Sequence, residues 1–316
     1  MILVTGATGF VGAALVRRLA TDRSFNGVVA AVRRKAESLP QGVQQVPVGD
    51  LSPTTDWSTT LQGIDAVVHC AARVHVMQDD ATDPSHAYRE VNVSGTLNLA
   101  RQAADAGVRR FVFVSSIKVN GESTQPGHAF TADDVPAPLD PYGVSKFEAE
   151  LGLREIELQT GMEVVIVRPP LVYGPGVKAN FASMMLWVAR GIPLPLGAIQ
   201  NARSMVALDN LVDLLVTCVK HPVAAGQTFL VSDGEDVSTT ELLRRTAQAM
   251  GKKAFLLPIP AFVLEWGAAL LGKRAVAQRL CGSLQLDINK TRQLLDWTPP
   301  VSLDEGLRRA AEGFSQ

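Results

Sequence analysis

The sequence predicts an α/β protein: a doubly wound parallel sheet, followed by a smaller, mostly helical C-terminal lobe. Short apolar runs alternate with helical stretches over the first 170 residues, as βαβ units require. A glycine triad, Gly6, Gly9 and Gly12, stands between the first run and the first helical stretch. Beyond "YGPG" (173–176) the pattern becomes mainly helical.

Taken in order, "ILVT" (2–5) reads as the first strand and "FVGAALVRRLA" (10–20) as the first helix. Asn26-Gly27 is a turn signal. It introduces "VVAAV" (28–32), apolar throughout as a buried parallel strand should be. "QVPV" (45–48) is a weaker third strand, and "DAVVHCAA" (65–72) a fourth with its outgoing loop. A helix around 84–106 carries Val91, Leu97, Leu99 and Ala103 at helical spacing. "RRFVFVSS" (109–116) is the next strand. Residues 121–141 hold four prolines and no period, and a loop that long is functional or disordered. A helix over 141–160 follows, with Asp140 as N-cap and Pro141 in its first position. "EVVIVRPP" (163–170) is a strand, and shorter ones fall near 205–208 and 228–232. The expected division is 1–170, with a return segment about 205–232, against a second lobe of 171–204 and 233–316.

The 316 residues are 47% hydrophobic and 19% charged, with a formal net charge of −1. That balance gives no reason to expect a nucleic-acid partner. Cys70, Cys218 and Cys281 are scattered, and His75, His86, His128 and His221 show no metal spacing. No metal is expected, and a reduced cytoplasm is the simplest setting. The apolar stretch 255–272 is interrupted by Pro258, Pro260 and Glu265, which argues against stable membrane insertion. A helix docked in the second lobe is the favoured reading, and a surface-membrane contact the lesser one.

The chemistry-bearing residues lie at strand ends. Glycines between strand and helix let backbone approach a pyrophosphate, and the helix N-terminus favours anions. Arg33 and Arg34 end the second strand, with no acid before Glu37. Arginine binds phosphate with charge-assisted bonds, so NADP(H) is expected in preference to NAD(H), with a solvated basic loop as the alternative. Tyr142 and Lys146 stand four apart on one helical face. A carbonyl reduced by hydride needs a proton for the emerging alkoxide. An ammonium near a phenol is expected to lower its pKa towards neutrality. Ser116 ends a buried strand at the sheet edge where open α/β folds place ligands. Lys118 could reach a substrate phosphate or hydroxyl, or be a solvated loop lysine. His69 reads as buried structure, and Asn92 as a helix-shaping residue or a simple cap.

"VTGATGFVG" (4–12), Asp50-Leu51, "HCAA" (69–72), "NVSGT" (92–96) and the Tyr142/Lys146 pair together resemble the extended short-chain dehydrogenase/reductase family of NAD-dependent epimerase/dehydratase type. The resemblance implies a Rossmann-like lobe and a substrate lobe. It assigns catalysis to Ser116, Tyr142 and Lys146. Gly6, Gly9, Phe10, Val11, Gly12, Asp50, Leu51, Cys70, Ala71, Ala72, Ser115 and Pro169 join Arg33, Arg34, Tyr142 and Lys146 as cofactor contacts. "RPPLVYGPG", "NF" (180–181), "GIPLPLG" (191–197) and "NARSMVALDNLVDLL" (201–215) resemble nucleotide-sugar-modifying members. That implies UDP-sugar contacts from Ser116, Asn180, Arg203 and the backbone around Leu194 to Leu196, with Lys118 and, more weakly, Arg279 as further substrate candidates beside them. Arg203 could instead pair with Asp209. "SSIKVNGEST" (115–124) resembles bacterial reductases of UDP-4-keto-6-deoxy-N-acetylhexosamines in O-antigen and lipopolysaccharide synthesis. The implied function is NADPH-dependent reduction to UDP-N-acetylquinovosamine or UDP-N-acetylfucosamine. The alternatives are an NAD-dependent UDP-sugar 4-epimerase and a non-catalytic dinucleotide sensor. A homodimer built from the helices near 84–106 and 141–160 is also implied.

Overall fold

Seven parallel strands form the main sheet of the computed structural model, which describes residues 1–74, 83–125, 127–272 and 274–314. His75 lies outside the described residues. The first half runs β1 (Ile2–Thr5), α1 (Phe10–Thr21), β2 (Val28–Val32), β3 (Gln44–Pro47), β4 (Ala66–His69), α2 (Pro84–Arg89), a π-turn (Glu90–Gly95), α3 (Thr96–Asp105), β5 (Arg110–Val114), α4 (Pro141–Thr160) and β6 (Glu163–Arg168). The second half runs β7 (Leu171–Tyr173), α5 (Ala179–Ala189), β8 (Arg203–Ala207), α6 (Leu208–Lys220), β9 (Thr228–Leu230), β10 (Asp236–Val237), α7 (Thr239–Ala249), α8 (Ala261–Leu270), α9 (Arg274–Cys281), α10 (Asn289–Leu295) and α11 (Leu303–Phe314).

The strand order is β3-β2-β1-β4-β5-β6-β9. It reverses between β1 and β4, and ligands of open α/β sheets bind in the crevice at such a reversal. The strands of the sheet centre are buried on both faces, which is why they read as unbroken apolar runs. Leu15, Val16 and Leu19 of α1 pack with Leu211, Leu214 and Leu215 of α6 on one face. Leu99 and Ala103 of α3, with Ala149 and Leu153 of α4, cover the other.

Within the segment 205–232, β9 joins the main sheet beside β6, whereas β8 belongs to a separate sheet ordered β10-β8-β7. Tyr173, Phe181 and Leu307 form a second core around that small sheet. The long helix expected near 84–106 is one continuous element interrupted by the π-turn. Such turns insert a residue and concentrate at functional sites. The helix at 255–272 is shorter than its apolar run, and none of the residues of α8 is buried. Docking in the second lobe is therefore incomplete: Phe262, Trp266 and Leu270 face outward.

Candidate active site

The turn from β1 into α1 has no room for a side chain at its glycine positions. Gly6 sits at φ +64°, and a side chain there would meet the Ala71 nitrogen at 2.7 Å. A Cβ at Gly12 would lie 2.2 Å from the Gly6 carbonyl oxygen, and one at Gly9 3.1 Å from it. Loop backbone is thus laid directly on the Cys70–Ala72 turn, across the strand-order reversal. Gly9 gives α1 no side-chain cap, leaving the first-turn N–H groups and the dipole for an anion. Phe10 and Val11 begin the helix, half-buried against the core. Thr5 ties the two loops together. Its hydroxyl accepts the Ala71 N–H at 3.3 Å and bonds the His69 ring at 2.7 Å. His69 is wholly buried, also bonded to Thr96, and burial holds its pKa down near 3, so it is structural. Burial pushes the Cys70 thiol up to about 12, against the opposing charge of Lys146, leaving it unreactive.

This cradle fits a dinucleotide pyrophosphate. When bound, a nicotinamide dinucleotide supplies the hydride for chemistry at a carbinol or carbonyl carbon.

At the ends of β2 and β3, Arg33 is 81% exposed and pairs with Asp50 at 3.5 Å. Asp50, expected at an adenine, therefore also faces an arginine. Arg34 is exposed beside it. Leu51 packs on Gly95, where a Cβ would meet its side chain at 2.8 Å.

The three catalytic candidates converge where β5 ends against α4. Ser116 hydrogen-bonds Tyr142. Asp140 caps α4 by accepting the Gly143 N–H at 2.7 Å, with Pro141 next in the chain, so Tyr142 lies in the first turn and Lys146 one turn later. The phenol departs from expectation. Its pKa is pushed up to about 12, chiefly by burial, then by the charge of Asp140 and by Tyr88, while the Ser116 bond opposes. The Lys146 ammonium is 1% exposed, lies 4.0 Å over the Phe113 ring, and is depressed by burial to about 7 against the charges of Glu150 and Cys70. Tyr142 is therefore a protonated donor at neutral pH.

The buried ammonium has a cost. Its pKa falls from 10.5 unfolded to about 7 folded, so the unfolded chain binds more protons between those values. Stability from this group is lowest below pH 7 and recovers as pH rises towards 10.5. Lys146→Met is expected to abolish turnover yet stabilise the fold by about 1–3 kcal/mol at pH 7. Urea unfolding should show that gain shrinking towards pH 10.

Two expected ligand contacts have partners within the protein. Lys118 pairs with Asp140 and, at 3.2 Å, with Glu122. There it clamps the cap of α4 with its side chain 30% exposed. The Ser115 hydroxyl is buried and donates to Glu150 at 2.5 Å. Pro169 is buried and its carbonyl accepts the Ile117 N–H at 2.9 Å.

Sequence reasoning missed the network beneath the site. Glu150 on α4 holds Arg168 of β6 through two bonds of 3.0 and 2.5 Å, and Arg168 reaches Asn120 at 3.0 Å. Asn120 in turn donates to the Thr131 carbonyl at 2.9 Å, inside the long loop. A signal existed, since Arg168 follows the buried apolar run Val164–Val167 in its strand and must have a counter-charge. On the other side, Asn92 in the π-turn bonds both backbone groups of Arg73 and donates to Ser145 on α4 at 2.9 Å.

In the second lobe, Arg203 donates to the Arg279 and Gly282 carbonyls at 3.0 and 2.9 Å. Arg309, not Arg203, takes Asp209 at 2.7 Å. Arg203 thus brings a half-buried guanidinium, bonded to carbonyls, next to Arg279, whose own side chain is exposed. That arrangement suits a diphosphate. Asn180 is exposed in the first turn of α5. The Leu194 N–H and carbonyl bond Phe255 and Leu257, each at 2.8 Å. The Leu196 carbonyl accepts the Thr240 hydroxyl at 2.6 Å. Both side chains are buried in the core.

The profile of the "NAD dependent epimerase/dehydratase family" matches residues 2–232. The chain belongs to this family. It is 51% identical to a UDP-glucose 4-epimerase of Vibrio cholerae, over 100% of this chain and 95% of the relative. It is 27% identical to N-acetyl-alpha-D-glucosaminyl-diphospho-ditrans,octacis-undecaprenol 4-epimerase of Escherichia coli O157:H7, over 98% and 94%. The solved structure of MoeE5 in complex with UDP-glucuronic acid and NAD superposes with a TM-score of 0.78 at 27% identity, covering 99% of this chain and 98% of that one. The fold is accordingly Rossmann-like. Among the described residues, no helix is long and apolar enough to cross a membrane, and no group of three His, Cys, Asp or Glu could hold a metal.

Proposed function

We propose that the protein is a UDP-sugar 4-epimerase. The observation that carries this reading is full-length similarity at 51% identity to a relative of that name. Ser116, Tyr142 and Lys146 supply the site it needs, since Ser116 and Tyr142 are hydrogen-bonded and Lys146 lies one turn along α4. In this reading Tyr142 exchanges the proton of the C4 hydroxyl, and Ser116 orients the same oxygen. Arg203 and Arg279 receive the diphosphate. Incubation with NAD and UDP-glucose or UDP-N-acetylglucosamine, followed by NMR, should reveal the galacto epimer.

A second reading is favoured by two observations. Arg33 and Arg34 stand where an acid would grip an NAD ribose, and Tyr142 is held protonated. Both suit an NADPH-dependent 4-keto reductase acting on a UDP-4-keto-6-deoxy-N-acetylhexosamine. In that case NADPH absorbance falls on mixing with the ketone, no epimer forms from UDP-glucose, and Arg33→Asp weakens NADPH binding several-fold or more. An intact Ser116/Tyr142/Lys146 group disfavours the sensor reading. A cytoplasmic homodimer, with α3 and α4 at its contact, accompanies either enzymatic reading.

A further inference from the structure

The apolar surface of α8 has no role in the chemistry above. Phe262, Trp266 and Leu270 follow one another at four-residue spacing and are 64%, 74% and 86% exposed, so they form one stripe. Leu271, just past the helix, is 74% exposed. The stripe continues onto the extended segment before the helix, where Phe255 and Leu257 also face out. That segment is not loose: it pairs with residues 194–197 and so holds the stripe in place. An open apolar cavity of 470 Å³, lined in part by Trp187, Val263, Leu271 and Val276, lies alongside. Solvated surfaces rarely present so continuous an apolar patch without a partner.

The charge around the patch identifies the partner. Residues 251–282 carry five Lys and Arg against the single acid Glu265. The whole chain has a formal charge of −1, so the positive charge is concentrated here. Lys252, Lys253 and Arg274 are exposed at the two ends of the stripe. Exposed aromatic and leucine side chains rimmed by cations match a bilayer interface, where the apolar face enters the acyl boundary and the cations meet anionic headgroups. A ten-residue helix is far too short to span, so the contact is superficial.

We propose that α8 and the segment before it form a docking surface for an anionic lipid bilayer. Phe262, Trp266 and Leu270 enter the interface, Lys252, Lys253 and Arg274 contact the headgroups, and the adjoining cavity takes part of an acyl chain.

The test is sedimentation of the full-length protein with vesicles of phosphatidylcholine alone or mixed equally with phosphatidylglycerol. Binding is expected to the mixed vesicles, to fall in high salt, and to be weak on phosphatidylcholine. The F262S/W266S double variant should lower partitioning more than tenfold, and K252E/K253E about tenfold. Both alter exposed residues, and unchanged circular dichroism would show that they still fold. Equal partitioning of wild type and both variants would overturn the proposal. So would a wild-type dimer in light scattering that F262S/W266S converts to monomer without changing vesicle binding, because a second copy would then cover the stripe.

Discussion

Tyr142→Phe is expected to lower kcat by roughly 10²- to 10⁴-fold, the usual contribution of a positioned proton donor, with dinucleotide affinity nearly unchanged. The cradle at Gly6–Gly12 is remote in sequence and intact, so binding and turnover should separate cleanly in titration and steady-state assays. The pH profile carries more information. A phenol held near pKa 12 remains protonated from pH 6 to 9, so reduction of a ketone should be nearly flat there. Oxidation of a carbinol needs the phenolate and should rise about tenfold per pH unit over the same range. A bound positive charge beside the phenol would bring that limb down, as the Ser116 bond already does in part. Ser116→Ala should therefore move the oxidative limb to higher pH. Near-wild-type kcat in Tyr142→Phe would assign the proton transfer to another group.

Glu150→Ala is expected to be the most damaging single change to stability, by about 3–5 kcal/mol, because it leaves the Arg168 guanidinium buried and unpaired. Glu150 also accepts the Ser115 hydroxyl, so one truncation disturbs β5, β6 and α4 together. Glu150→Gln keeps an acceptor without the charge and should fall between the two. Denaturant midpoints measure this directly. Activity should fall further than stability alone explains, since Arg168 also anchors the long loop through Asn120. Equal stability of Glu150→Ala and wild type would mean that Arg168 finds water or another partner.

Local signals made much of this legible from the chain. The helix at 141–160 was readable because its cap Asp140 and its first-turn Pro141 are adjacent in sequence. The glycine triad was readable because its requirement is steric. Features that depend on distant pairing were not. Lys118 meets Asp140 only after the 121–141 loop has closed, and nothing at Lys118 itself announces that. The phenol was expected to be acidified by Lys146 and is instead raised, because sequence spacing gives adjacency but not desolvation. The π-turn was invisible for a related reason: one extra residue in a helix hardly alters apolar periodicity over so short a stretch.

That turn sets a constraint of another kind. Asn92 inside it holds Arg73 and Ser145, and Thr96 just after it bonds His69 beneath the phosphate loop. Deleting one residue between Glu90 and Gly95 would restore a regular helix, but it would rotate everything beyond by about 100° and part those two anchors. Point changes at Val91, Val93 or Ser94 can be absorbed by a neighbour, whereas a change at Asn92 or Gly95, or a change of length, cannot. Across descendants of this gene the span should therefore keep Asn92, Gly95 and its residue count while its other letters drift, so a gap there would mark a lineage that has abandoned the site.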